Sequence, residues 1–131
     1  MNWYFVAAAA TATVVSLVHT VMGERLIFTR LRWAGVVPTN GGNVLEAWHV
    51  RILWATWHVL TVFGLCMATV LLKLSYPEAN IASAGFIAQA CAIAALAGSA
   101  VVAIGTKARH PGWVGLLAVT VLVWLGLSVS V

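Results

Sequence analysis

Residues 3–22 read WYFVAAAATATVVSLVHTVM, twenty residues without a single Asp, Glu, Lys or Arg. A helix of about 20 apolar residues, rising 1.5 Å per residue, spans the hydrocarbon core of a bilayer. The run is too long for an ordinary secretory h-region, and no basic residue precedes it. It therefore reads as an uncleaved first transmembrane helix.

Working outward, three more apolar stretches of similar length follow, at approximately 50–73, 79–104 and 112–131. The chain has 131 residues, of which 63% are hydrophobic and 8% charged. A soluble domain carries about 25% charged residues. This composition points to an all-α integral membrane protein, and the length leaves room for one transmembrane domain over residues 1–131. Loops two and three, SYPEAN and TKARHPGW, are short. Short loops make neighbouring helices antiparallel, so the expected architecture is an up-down-up-down four-helix bundle.

The cations set the expected orientation. Arg25, Arg30, Arg32 and Arg51 lie in or beside loop one, and Lys107 and Arg109 in loop three. Loop two has only Lys73 at its edge. Both loops one and three should then face the cytoplasm, with both termini outside. Trp3, Tyr4, Trp33, Trp48, Tyr76 and Trp113 fall near the predicted boundaries, as an aromatic belt does. The net charge of +4 is dispersed over segment ends. It forms no nucleic-acid stripe, and the expected partner is the lipid bilayer. Cys66 and Cys91 lie inside apolar stretches and read as small packing residues.

Local signals predict the helix ends. Ser75 and Glu78 match a capping box for the third helix, with Pro77 in its first turn. Pro111, after His110, can open the fourth. In loop one, ERLIFTRLR either extends the first helix or lies along the interface. GVVPTNGGN then breaks the chain. Asn43 is placed to cap the second helix, with Glu46 at its third position, so that helix is expected to start near residue 44. Ala84, Ala88, Ala92, Ala95 and Ser99 recur at three- and four-residue spacing, as do Ala8, Ala12 and Ser16. Such small faces allow close helix packing, within the bundle or in a homo-oligomer.

The few polar residues in the spans carry the functional reading. Glu46 and Glu78 are explained as caps, but Glu24 is not. It falls at the expected end of the first helix, where the dipole disfavours an anion, and so calls for a cation. Arg51, at the mouth of the second span, is the candidate. His19 lies roughly 6 Å inside the first span and His58 roughly 10 Å inside the second. Side chains tilt towards their own helix N-terminus, which brings the two imidazoles to a common depth. Arg51, Trp54, His58 and Thr61 share one helix face. His19, Glu24, Arg51 and His58 are thus the expected polar site near the cytoplasmic face. Ionisable groups at membrane depth point to function by default.

Several uses of that site stay open. Two neutral histidines can fasten helices together. They can line a proton, ion or small-solute pathway, with Gln89 further along it or bonded to a neighbouring helix. His19 and His58 could also ligate a metal or haem, or bind a quinone. Glu24 would be the third metal ligand, but its five-residue spacing from His19 turns it about 140° away, at 100° per residue. The sequence shows no nucleophile–base pair and no phosphate loop. It favours a non-enzymatic membrane protein, an accessory subunit or small transporter, over a redox or metal-binding one.

HTVMGER over 19–25, LIFTRL over 26–31 and WHVLT over 57–61 resemble a family of small uncharacterised bacterial inner-membrane proteins. The resemblance covers roughly the first half of the chain. It implies four helices, an H-x3-G-E-R motif ending the first and a W-H-x2-T motif in the second, and no established activity. Arg51 precedes His58 by seven residues, further than the arginine of the family pattern. The chain does not resemble the small multidrug transporters, whose first helix carries an embedded glutamate.

Overall fold

The computed structural model describes residues 1–77, 84–105, 107–109 and 111–129. These residues form four α-helices and no strand. The helices are α1 (Trp3–Met22), α2 (Ala47–Leu74), α3 (Ala84–Gly105) and α4 (Gly112–Ser128). A π-helical turn, Gly23–Phe28, continues directly from α1. Three helical stretches are long and apolar enough to cross a membrane: Trp3–Phe28, Ala47–Leu74 and Ala84–Ile104. The described part of the fourth, at 17 residues, is shorter.

The helices arise where the composition demands them, but three ends differ from expectation. The first helix does not stop at Glu24 and Arg25: the π turn carries it on to Phe28, so this part of ERLIFTRLR extends the helix. Glu24 therefore does not sit at a helix C-terminus. The second helix starts at Ala47, not near 44, because residues 41–45 close a turn of their own. In it the Leu45 and Val44 N–H groups donate to the Gly41 carbonyl at 3.2 and 3.4 Å. Asn43 is then no cap. Glu46 takes that place, its carbonyl accepting from the Val50 N–H at 3.3 Å. The His49 ring Nδ1 accepts from the Glu46 N–H at 3.1 Å. This is the reciprocal half of a capping box, with histidine in the position usually held by Glu or Gln. Finally, Ser75 is engaged at the end of α2, where its hydroxyl donates to the Leu72 carbonyl at 2.7 Å. Glu78 and His110 lie outside the described residues.

The chain divides into two compact units. Residues 1–15 with 64–131 form one, and residues 16–63 the other. The first is held by small side chains. Ala8, Ala88 and Ala92 are fully buried in a core that also takes in Phe5, Leu71 and Val119. The alanine stripe of α3 thus faces inwards, as its spacing predicts. Closeness also lets side chains bond to the backbone of a neighbouring helix. Ser99 Oγ donates to the Trp113 carbonyl at 2.8 Å, and Thr120 Oγ1 to the Ala92 carbonyl at 3.2 Å. Asn2 opens α1, its side-chain oxygen accepting from the Tyr4 N–H at 3.1 Å. Gln89 bonds Trp124, whose indole N–H donates to it at 3.2 Å.

The second unit is built on larger groups. Phe28 and Val50 are buried, and Phe28 meets the Trp57 ring edge-on, with centroids 5.7 Å apart. Gly23 is the point of closest approach, since a Cβ there would overlap the Trp57 indole. The missing side chain is what seats the tryptophan, and that fixes the geometry of the polar groups around it.

Candidate functional site

Glu24 is the centre of the polar site. Its position follows from the π turn, in which bonds run from residue i to i+5. The Thr29 N–H accordingly donates to the Glu24 carbonyl at 2.9 Å. Such turns in otherwise regular helices are frequent at functional sites.

The Glu24 carboxylate collects three donors. Arg32 Nη2 donates to Oε2 at 2.7 Å. Trp54 Nε1 donates to Oε1 at 2.6 Å. His58 Nε2 lies 3.0 Å from the same Oε1. The Glu24 and Arg32 side chains keep 32% and 25% of their exposure, so the pair is half-buried. Hydrogen bonds to a charged group contribute about 1.5–3 kcal/mol when desolvated, and partial exposure lowers that.

This arrangement fixes the histidine tautomer. An ionised carboxylate only accepts, so His58 Nε2 carries the proton that faces Glu24. In the neutral ring Nδ1 is then an acceptor, and Thr20 Oγ1 lies 2.7 Å from it. Thr20, His58 and Glu24 form one continuous hydrogen-bonded chain. Trp54 also meets the His58 ring edge-on, with centroids 4.8 Å apart.

The expected site is therefore partly assembled and partly reassigned. Glu24 and His58 come together directly. Arg51 does not join them: it is exposed, and the guanidinium on Glu24 belongs to Arg32. His19 packs against Trp57 rather than pairing with His58. The two rings stack at 4.2 Å with planes 7° apart. Trp57 Nε1 also donates to the His19 carbonyl at 3.1 Å.

Three participants were missed by sequence reasoning. Thr20 was visible, since it stands four residues before Glu24 and shares its helix face. Trp57 had a weaker signal, the bare glycine at 23 that admits a large ring. Arg32 had none, because it lies in loop one beyond the π turn.

In this arrangement His58 offers no uncommitted ring nitrogen to a metal or haem. Both His58 nitrogens are engaged, at 2.7 and 3.0 Å. Among the described residues no three His, Cys, Asp or Glu side chains cluster to hold an ion.

No protein-family model, curated protein or solved structure matches the chain. Function is therefore argued from the chemistry of the site.

Proposed function

We propose that this chain is a multi-pass protein of the bacterial inner membrane, with both termini outside and loops one and three in the cytoplasm. In this reading it is a small transporter or an accessory subunit, and Glu24 and His58 form its proton-binding site. The long apolar helices and the arginines of loop one support the membrane placement. One observation carries the rest: His58 bridges the Thr20 hydroxyl and the Glu24 carboxylate. A proton taken up at one end of such a chain can be released at the other as the imidazole changes tautomer. Arg32 keeps Glu24 paired and aimed at the ring.

Reconstitution into vesicles with an internal pH dye tests this. The wild-type chain is expected to dissipate an imposed pH gradient, and His58→Asn and Glu24→Gln to abolish that flux. Flux indifferent to both substitutions would sink the proton reading.

Both His58 nitrogens and both Glu24 oxygens already have partners, which favours a second reading, a fastener that pins α2 to the end of α1. It predicts lower melting temperatures in the same two variants, with no flux in any form of the protein.

A further inference from the structure

The segment between the π turn and α2 is closed by its own backbone hydrogen bonds, yet it leaves large apolar groups bare. The Leu31 carbonyl closes it, accepting from the Thr39 and Asn40 N–H groups at 3.1 and 2.8 Å. Pro38 is buried. Gly35 and Gly42 turn the chain at φ values of 76° and 62°, which glycine adopts without a Cβ penalty. On this frame Trp33, Val36 and Val44 are 81%, 76% and 88% exposed. Trp48, at the start of α2, is exposed as well. Several large apolar residues left bare along one hydrogen-bonded loop mark an interaction surface.

The charges that flank this loop in the sequence say what covers it. Residues 16–63 contain two acids, and both are engaged. Glu24 holds Arg32, and Glu46 accepts from the Trp48 indole N–H at 2.8 Å. Arg25, Arg30 and Arg51 are exposed, and among the described residues none forms an ion pair with a carboxylate. Bare aliphatic tips, two amphipathic indoles and unmatched guanidinium groups are the chemistry of a headgroup layer. Phosphate is the natural partner of the arginines.

We infer that residues 32–48 seat against the headgroups of an anionic bilayer leaflet. Trp33, Val36 and Val44 enter its shallow apolar region, while Arg25, Arg30 and Arg51 engage lipid phosphates. The inference rests on the membrane reading above but adds a lipid preference to it.

The test uses the full-length chain with Cys66→Ser and Cys91→Ser, reconstituted into vesicles. A single cysteine, either Val36→Cys or Val62→Cys, carries an environment-sensitive fluorophore. Val62 is an exposed residue of α2 and reports on insertion itself. In vesicles of phosphatidylcholine with phosphatidylglycerol, the position-36 label is expected to be quenched by brominated lipid and shielded from iodide. In pure phosphatidylcholine it should shift towards iodide access. Adding Arg25→Gln, Arg30→Gln and Arg51→Gln should give the second result in both vesicles.

A position-36 label open to iodide in anionic vesicles, with position 62 quenched by brominated lipid, overturns the seating and leaves the membrane reading standing. Both positions open to iodide overturn both. Shielding at position 36 that persists in detergent, with cross-links between copies, means a second copy covers the loop and overturns the lipid partner. An unchanged response in the arginine variant overturns the anionic preference.

Discussion

Threonines expose the contrast between the two units. In the first unit Thr11, Thr13 and Thr69 each return the hydroxyl to the carbonyl four residues back, at 2.8, 2.9 and 2.9 Å. Thr120 does so at 3.2 Å while also reaching Ala92. These hydroxyls are satisfied by backbone and leave alanine and valine to do the packing. In residues 16–63, Thr56 and Thr61 behave the same way. Thr20 does not: it turns to His58. One unit is held by what its side chains lack, the other by what they offer. Close-packed small residues resist added volume, whereas a polar network resists the loss of any one partner.

The largest effect should come from adding volume in either unit. Gly23→Leu drives a side chain into the Trp57 indole and costs the bond to the His19 carbonyl, about 3 kcal/mol. Ala92→Leu overfills the alanine core, at about 2 kcal/mol. Melting in detergent with hydrogen exchange should place the first disturbance in 16–63 and the second in α3 and α4. Uniform loosening by both variants would erase the distinction between the units.

Removing polar partners should cost less and act in one unit alone. Glu24→Gln, which strands Arg32, is expected to cost about 1–2 kcal/mol, discounted for exposure. Thr20→Val should cost about 1 kcal/mol. If Thr20→Val and His58→Asn combine additively in a double-mutant cycle, the two side chains are not coupled, and the network reading fails.

The smallest effect separates two arginines. Arg32→Gln should lose about 0.5–1 kcal/mol, because the pair is half-exposed. Arg51→Gln should stay within about 0.5 kcal/mol in detergent, as an exposed residue without a partner carboxylate does. A larger loss at Arg51 than at Arg32 would return Arg51 to the site.

Helix existence was legible because apolar length leaves few alternatives. The alanine face of α3 was legible because its spacing lines up small residues, and a small face is one that packs closely. The start of α2 was not. Asn43 carries a cap signal, but the Gly41–Leu45 turn consumes the same residues, and His49 substitutes for the acid a capping box normally shows. At the site, His58 stood out because an ionisable group in an apolar span is costly, and Glu24 because no cap explained it. Their partners were harder. A helical wheel ranks residues on one face of one helix, and so placed Arg51 with His58. It says nothing of which side chain reaches across, and Arg32 reaches back from eight residues beyond Glu24.

That reach depends on an arithmetic detail of the π turn. Wider turns of this kind hold more residues than an α-helix of the same rise, as though one residue had been inserted. Deleting a single residue from Gly23–Phe28 would let the segment relax to ordinary α register. The residues that continue directly from it, up to Arg32, would rotate by about 100° relative to residues 16–22. Arg32 would swing off Glu24 although every side chain in the network was still encoded. The ion pair is thus a property of chain length as much as of residue identity. A one-residue deletion here should mimic the loss of the arginine itself.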